Sequence, residues 1–168
     1  MLRTGPGSEA GQTLGESRLA GPVVIESLMI RGRPPRTAVV ALLQAQGLPV
    51  SDITDEHLQR FFFMGSEGSP TGLVGIEIYG TDGLIRSLVV AEKARARGIG
   101  SALVQHVEDY ATSCRVSALY LLTTTAETFF EHRGYRRADR AQAPLAIQAT
   151  AELASLCPAS STFMIKRL

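Results

Sequence analysis

One segment, residues 84–104 with the sequence LIRSLVVAEKARARGIGSALV, constrains the fold of this chain more than any other. An apolar run typical of a strand leads through a short polar loop to Gly98 and Gly100, and an amphipathic helix follows. The two glycines lack the Cβ atoms that would keep a ligand away from the backbone. The unpaired N–H groups of the first helical turn, together with the helix dipole, favour an anion there. The segment therefore predicts a phosphate-binding loop between a strand and a helix.

The spacing of this loop excludes two common phosphate-binding motifs. A mononucleotide loop needs Gly-x-x-x-x-Gly-Lys-Ser/Thr, and a dinucleotide-binding fold needs Gly-x-Gly-x-x-Gly. Here no lysine follows Gly100, and Leu103 stands where a third glycine would be. The loop instead has the pattern Arg-x-x-Gly-x-Gly, beginning at Arg95.

This pattern resembles the acetyl-CoA pyrophosphate loop of the GNAT superfamily of N-acetyltransferases. A second segment, residues 126–135 with the sequence AETFFEHRGY, resembles the family's later signature, Ala-x-x-Phe-Tyr-x-x-x-Gly-Phe. The resemblance implies an α+β fold of GNAT type. Its central sheet would be mixed, mostly antiparallel and splayed at the cofactor cleft, with helices on both faces. It also implies acetyl-CoA as cosubstrate and no metal.

The resemblance assigns three tasks to residues around the loop. Backbone N–H groups hold the pyrophosphate, exposed main chain of the preceding strand pairs with pantetheine, and two aromatic rings pack against core and cofactor. The predicted cofactor-binding residues are Leu88, Val89, Val90, Arg95, Ala96, Arg97, Gly98, Ile99, Gly100, Ser101, Phe129 and Phe130. For Arg95 and Arg97, the alternatives are a place near the phosphates or an ordinary solvated surface.

Phe130 departs from the family pattern, in which many members have a tyrosine that protonates the departing thiolate. Phenylalanine cannot donate a proton, so water or another hydroxyl, such as that of Tyr79, Tyr135 or Thr123, must serve if an acid is needed. Phe130 also leaves open a different class of function, a non-catalytic sensor that binds acetyl-CoA.

The residues also suggest a base and an acceptor site. Alternation along residues 74–79 places Glu77 and Tyr79 on one face of a strand, and a carboxylate there is costly unless it is used or paired. We expect Glu77 to act as base or to form a salt bridge with Arg86. Ser87 is the second catalytic candidate, as donor to the acetyl carbonyl or proton relay. Arg86, with Tyr79, is the candidate for binding an acceptor carboxylate; structural roles remain open for each.

Several segments add a narrower resemblance, to the N-acetyltransferases associated with bacterial arsenic-resistance operons. They are LLxxxGLP from residue 42, LIRSLVV from residue 84, LYLLTTTAxxFF from residue 119 and LCPxS from residue 156. This implies detoxification of a small amine, with an arsenic-containing amino acid as one candidate acceptor. Direct arsenite capture is disfavoured, because Cys114 and Cys157 are distant in sequence and a soft metalloid needs convergent thiolates. The other acceptors are an ordinary amino acid, a polyamine or a protein N-terminus.

Composition bounds the remaining possibilities. The 168 residues predict one domain over residues 22–168 behind a disordered, Gly- and Ser-rich extension over residues 1–21. A net charge of +1 provides no excess of positive charge for binding nucleic acid or an acidic membrane surface. The sequence shows no apolar run long enough to span a membrane and no pattern of a secretory signal. Its two cysteines do not form a disulfide framework. We therefore expect a cytoplasmic monomer or homodimer with a small-molecule amine substrate. His57, His106 and His132 are expected at the surface or in helix packing.

Hydrophobic periodicity and turn residues predict the element order. The predicted strands are residues 23–31, 60–64, 73–79, 84–90, 117–123, 135–140 and 162–167. The predicted helices are residues 36–46, a short one capped by Thr54, residues 98–112 and 126–133, and a further helix or turn within residues 144–156, where residues 150–156 are the better candidate. Helical spacing places Glu108 on the exposed face of the long third helix.

Overall fold

A computed structural model describes residues 29–168, and these residues build a seven-stranded mixed sheet. The strand order is β1-β2-β3-β4-β5-β7-β6. The strands are β1 (Arg31–Gly32), β2 (Phe61–Ser66), β3 (Ser69–Tyr79), β4 (Asp82–Val90), β5 (Ala118–Thr123), β6 (Arg136–Arg137) and β7 (Thr162–Arg167). The extension predicted over residues 1–21, and residues 23–28 of the first predicted strand, lie outside the described residues.

Within residues 29–168, five α-helices connect the strands. They are α1 (Arg36–Ala45), α2 (Asp55–Leu58), α3 (Ile99–Ser113), α4 (Glu127–Glu131) and α5 (Leu145–Gln148). Single turns of 3-10 helix lie at Glu92–Ala94 and Arg140–Gln142, and a turn of π-helix lies at Glu152–Leu156. No helix within residues 29–168 is long and apolar enough to cross a membrane.

Local signals account for where α1 and α2 begin and end. The Thr54 side chain accepts a hydrogen bond from the backbone N–H of His57, and the His57 ring accepts one from Thr54 N–H, which satisfies two free donors at the start of α2. Gly47 ends α1 with a φ of +69°, a conformation that glycine adopts without a Cβ clash. Both positions agree with the sequence-based prediction.

The described helices cover both faces of the sheet, as predicted. On one face, Leu103, Val104 and Val107 of α3 pack against Ile76 and Ile85. On the other face, α1 packs on β2, β3 and β4, and α5 packs on β4, β5 and β7. The residues of these two contacts are Val39, Leu43, Phe61, Phe63, Leu73 and Val89 for α1, and Leu84, Tyr120, Ile147 and Phe163 for α5.

All strand pairs are antiparallel except β4 with β5, which are parallel. Their register runs from Asp82 opposite Ala118 to Ile85 opposite Leu121 and ends there. The β4 strand continues for five more residues and β5 for two without pairing to each other, so the sheet opens at this point. The predicted open, splayed α+β fold is therefore confirmed.

Some element boundaries differ from the prediction. Gly32 continues β1 by pairing with Phe62, although the Gly-Arg-Pro-Pro sequence predicted a stop there. The β3 strand begins at Ser69, because a tight hairpin pairs it with Ser66. The predicted strand at residues 135–140 is reduced to Arg136–Arg137, and the turn between β3 and β4 consists of Gly80 and Thr81, with Asp82 already paired.

The placement of Glu108 was wrong: it is 5% exposed. Its carboxylate accepts hydrogen bonds from Tyr135 Oη at 3.0 Å and Lys166 Nζ at 2.8 Å. A buried carboxylate is tolerated when it is paired in this way. Its partners come from beyond α4 and from β7, so helical periodicity within α3 could not reveal them.

Candidate active site

A cavity of about 380 Å³ lies where β4 and β5 separate. Its walls come from the end of α1, β4, the segment after β5, and the π-helical turn with the residues after it. The lining residues are Gly47, Leu48, Pro49, Ile85, Arg86, Ser87, Leu88, Leu122, Thr123, Thr124, Thr125, Ala126, Phe130, Glu152, Leu156, Cys157, Pro158 and Ser161. The lining combines apolar and hydroxyl-bearing side chains with the charged residues Arg86 and Glu152.

Ser87 is the residue at which β4 bends away from β5. It has a φ of +57°, which non-glycine residues rarely adopt, and it lies where the pairing of β3 with β4 shifts register. An extra residue in one strand of a pair locally bends the strand and increases its twist. The bulge therefore opens the cleft and leaves the β5-facing edge of Leu88, Val89 and Val90 without a strand partner.

The loop before α3 has the backbone geometry expected of an anion cradle, and we call it by that name; anion binding there stays a prediction. Ala96 and Gly98 both have left-handed backbones, with φ of +60° and +76°. No side chain caps the start of α3, and its first turn has no acidic residue, so its N–H groups are free for an anion. A Cβ at Gly98 would meet no atom within 4 Å, whereas one at Gly100 would lie 3.6 Å from Val90 and 3.7 Å from Phe129. The cradle fits a phosphate group approaching the backbone.

The two loop arginines have different surroundings. Arg95 donates hydrogen bonds to the side chain of Gln46 and, at 3.3 Å, to the carbonyl oxygen of Val90. Arg97 is exposed beside Gly98. Arg95 therefore fastens the loop to the end of α1, and Arg97 is the better placed of the two for a phosphate.

Phe129 and Phe130 lie between the cradle and the cleft. Their rings meet edge to face with centroids 5.0 Å apart, and Phe130 makes a similar contact with Tyr135 at 5.3 Å. Phe130 lines the cleft, while Phe129 is the ring next to Gly100. This is the packing arrangement expected for both residues.

Arg86 is the centre of a buried group of charges at the inner end of the cleft. Its side chain is 1% exposed, and its guanidinium contacts Glu77 at 2.5 Å, Asp52 at 2.6 Å and Glu152 at 3.4 Å. We call these four residues the Arg86 cluster. The salt bridge between Glu77 and Arg86, left open from the sequence, is therefore present. A role for Arg86 in gripping an acceptor carboxylate is disfavoured, because three protein carboxylates already surround it.

Glu77 and Tyr79 share one face of β3, as predicted, but they border a second, smaller cavity of about 270 Å³. The Tyr79 hydroxyl donates a hydrogen bond to Glu77, and His57 Nε2 lies 3.8 Å from the Glu77 carboxylate. Burial and the Glu77 carboxylate raise the pKa of Tyr79. Arg86 lies between these groups and the main cleft, so the Glu77 carboxylate does not line the main cleft.

Asp52, His57 and Glu77 place one donor atom each within 4.8 Å of one another, the arrangement that could most readily hold a metal among the described residues. The Arg86 guanidinium already contacts two of the three. A positive charge in that position takes the place that a cation would occupy. The absence of a metal requirement stays a prediction.

The hydroxyl groups considered as acids fall in different places. The Tyr135 hydroxyl is buried against Glu108 and outside the cleft lining, and burial raises its pKa, which excludes it. Thr123 lines the cleft, where its Oγ1 accepts a hydrogen bond from Ala126 N–H at 2.9 Å. Ser87 also lines the cleft.

Sequence reasoning missed two members of the Arg86 cluster, Asp52 and Glu152. Glu152 lines the cleft from the π-helical turn, and burial together with nearby Asp52 and Glu77 raises its pKa to about 7. Cys157 is half-buried and also lines the cleft, and burial raises its pKa to about 11. No short motif connects these residues with Arg86, so only the fold brings them together.

Comparisons with known proteins agree with this architecture. An amino-acid acetyltransferase of Neisseria meningitidis is 25% identical over 116 residues, which cover 66% of this chain and 27% of the relative. An uncharacterized N-acetyltransferase of Chlorobaculum tepidum is 32% identical over 90 residues, covering 53% of this chain and 57% of the relative. The chain thus spans about a quarter of the amino-acid acetyltransferase and just over half of the second relative.

Solved structures show the same fold. The N-acetylglutamate synthase of Neisseria gonorrhoeae, complexed with coenzyme A and N-acetyl-glutamate, has a TM-score of 0.71 at 20% identity, over 89% of this chain and 41% of that one. A Mycobacterium tuberculosis protein in complex with CoA has a TM-score of 0.67 at 19% identity, over 83% of this chain and 99% of that one. The family model described as the acetyltransferase (GNAT) family matches residues 33–137. With its splayed sheet, anion cradle and cleft, this chain belongs to the GNAT acetyltransferase family.

Proposed function

We propose that this protein transfers an acetyl group from acetyl-CoA to the amine of a small, amino-acid-like acceptor. The observation that carries the proposal is that the unpaired edge of β4 runs from a cavity with hydroxyl groups in its lining, where Leu88 lies, to Val90 beside Gly100 at the start of α3. The solved relatives containing coenzyme A, and the amino-acid acetyltransferase among the sequence relatives, support it.

Each part of the cleft has a task in this reaction. The backbone N–H groups at the start of α3, with Arg97 beside them, bind the pyrophosphate of the cosubstrate. The main chain of Leu88 and Val90 hydrogen-bonds pantetheine as a neighbouring strand would. When bound, acetyl-CoA supplies a thioester carbonyl that the acceptor amine attacks. In this proposal the Ser87 hydroxyl and the backbone N–H groups at the bend stabilise the negative charge that develops on the carbonyl oxygen.

The acceptor side of the cleft carries the narrower part of the proposal. The segments that resemble the arsenic-resistance-associated enzymes also provide much of the cleft lining, including Gly47 to Pro49, Thr123 to Ala126 and Leu156 to Pro158. Residues around an acceptor cavity determine which acceptor is bound. An arsenic-containing amino acid is therefore the narrower acceptor that we propose. The cytoplasmic location and the monomeric or homodimeric state stay predictions.

A thiol-release assay tests the proposal. The protein is mixed with acetyl-CoA and a panel of amines that includes ordinary amino acids, an arsenic-containing amino acid, a polyamine and a peptide with a free N-terminus. We expect release of coenzyme A thiol that depends on the amine, with the acetylated amine identified by mass spectrometry. Highest kcat/KM for the arsenic-containing amino acid supports the narrower class. Tight acetyl-CoA binding with no turnover on any amine would instead indicate a sensor and overturn the proposal.

A further inference from the structure

Glu152 is the one carboxylate among the described residues that line the cleft. We infer that Glu152 is the general base that takes a proton from the acceptor ammonium before acetyl transfer. This inference rests on the proposed function and assigns within it a role that sequence reasoning gave to Glu77. The geometry of the Arg86 cluster distinguishes the Glu152 carboxylate from the Glu77 carboxylate.

The contacts of the cluster divide its acids into two kinds. Glu77 and Asp52 lie 2.5 and 2.6 Å from the Arg86 guanidinium, which are close ion-pair distances. Glu152 lies further from it, 3.4 Å from Nε, and is the one of the three acids that lines the cleft. Glu77 and Asp52 thus form the close ion pairs with Arg86, while Glu152 is the acid that an acceptor in the cleft can reach.

The position of Glu152 follows from the local fold. The π-helical turn at Glu152–Leu156 follows α5, whose Ile147 is fully buried in the core. A π-turn shifts side chains relative to a regular helix and is frequent at functional sites. The residue is therefore held by packed structure at the wall of the cavity, opposite Ser87 on β4 and the threonines after β5.

The electrostatic surroundings suit a base that works near neutral pH. The charged and titratable groups that face Glu152 are Arg86 from β4, Asp52 from the segment before α2, Glu77 from β3, and Cys157 from the same segment as Glu152. Burial, Asp52 and Glu77 raise the pKa of Glu152 to about 7, and Arg86 opposes them. A base with a pKa near the working pH combines a useful ionised fraction with sufficient basicity.

The proton and electron balance of the step is simple. The Glu152 carboxylate accepts one proton from the acceptor ammonium, and the nitrogen lone pair then forms a bond to the thioester carbonyl carbon. When the carbon–sulfur bond breaks, the sulfur keeps its electron pair and takes the second nitrogen proton, directly or through water. Glu152 returns its proton to solvent, so the net products are the amide, coenzyme A thiol and one proton.

The test compares Glu152→Gln with the wild type by measuring kcat/KM against pH, with the best acceptor from the panel. We expect a loss of about 10²- to 10³-fold at pH 7 and disappearance of the fall in rate below pH 7. Acetyl-CoA affinity, measured by calorimetry, should be unchanged. With a weakly basic analogue of the acceptor, which is already neutral at pH 7, Glu152→Gln should reduce the rate much less, because this amine needs no base before attack.

Three further variants keep the result interpretable. Glu131→Gln, the same change at an exposed residue of α4, should match the wild type. Glu77→Gln should move the acidic limb of the pH–rate profile, which is the fall in rate below pH 7, to lower pH without removing it, because Glu77 raises the Glu152 pKa. Should Glu152→Gln fail to fold, Glu152→Asp, which retains a carboxylate, should keep the limb with reduced kcat.

Each failure points to a different error. Full kcat/KM in Glu152→Gln with the acidic limb intact would overturn the assignment of Glu152 while leaving acetyl transfer standing. Loss of the limb in Glu77→Gln but not in Glu152→Gln would return the base to Glu77. A wild type that acetylates no amine would refute the proposed function itself, and the role of Glu152 with it.

Discussion

Replacing Arg86 by methionine should destabilise this protein strongly and in a pH-dependent manner. The substitution keeps much of the side-chain volume but removes the positive charge that neutralises Asp52, Glu77 and Glu152. The side chains of these acids are only 9–13% exposed, so water can replace the guanidinium poorly. Removing one partner of a buried ion pair costs about 3–5 kcal/mol. For a chain of this size that corresponds to a fall in Tm of roughly 6–20 °C.

The pH dependence has a definite sign. Without Arg86, mutual repulsion raises the pKa of the three carboxylates in the folded state above their values in the unfolded chain. The folded variant then binds more protons than the unfolded chain, so its free energy of unfolding falls as the pH rises. The difference from wild type should therefore grow between about pH 5 and pH 8, by up to about 1.4 kcal/mol per pH unit for each carboxylate that titrates.

Urea unfolding at several pH values measures this effect. Arg36→Met is the matched control, because Arg36 makes an exposed ion pair with Asp55 at 3.4 Å, and such pairs contribute about 0–1 kcal/mol. An Arg86→Met variant that loses less than about 1 kcal/mol, equally at every pH, would refute the view that Arg86 neutralises the cluster.

Three other predictions concern the cleft and its surroundings. Ser87→Val should be less stable than Ser87→Gly by at least about 1 kcal/mol in chemical denaturation, because the left-handed backbone at Ser87 disfavours a branched side chain; equal stabilities would contradict this strain. Tyr135→Phe should lose about 1–3 kcal/mol, because it removes one of the two hydrogen bonds to the buried Glu108 carboxylate, yet keep its kcat; a large fall in kcat at unchanged acetyl-CoA affinity would restore Tyr135 as the acid. Cys157 should react slowly with iodoacetamide at pH 7.5 and faster towards pH 11, and acetyl-CoA should protect it; fast, unprotected labelling would place the thiol outside the cleft.

The sequence predicted the parts of this molecule that depend on neighbouring residues. The strand, loop and start of α3 at residues 84–104 form a continuous local pattern, and the cap at Thr54 and the glycine after α1 are local as well. The family resemblance then supplied the mixed, mostly antiparallel character of the sheet and its opening. These are the features that the structure and the family match confirm.

The inner end of the cleft could not be predicted in the same way. Arg86 is held by acids from a loop, a strand and a π-helical turn, which are far apart in the chain. The burial of Glu108 likewise depends on Lys166, 58 positions away. No periodicity or spacing encodes such pairs, because each needs the complete fold to bring its partners together.

Acetyl-CoA binding by Gly98→Val, compared with Gly80→Val, tests the central claim most directly. Gly98 and Gly80 have similar left-handed backbones, with φ of +76° and +61°, and a Cβ at either would meet no atom within 4 Å. The two substitutions therefore impose comparable backbone strain, but only Gly98 lies in the anion cradle. By calorimetry, Gly98→Val should bind acetyl-CoA at least about tenfold more weakly than wild type, equivalent to about 1.4 kcal/mol, and Gly80→Val should bind it normally. Equal affinity in both folded variants would contradict a cofactor site at the start of α3.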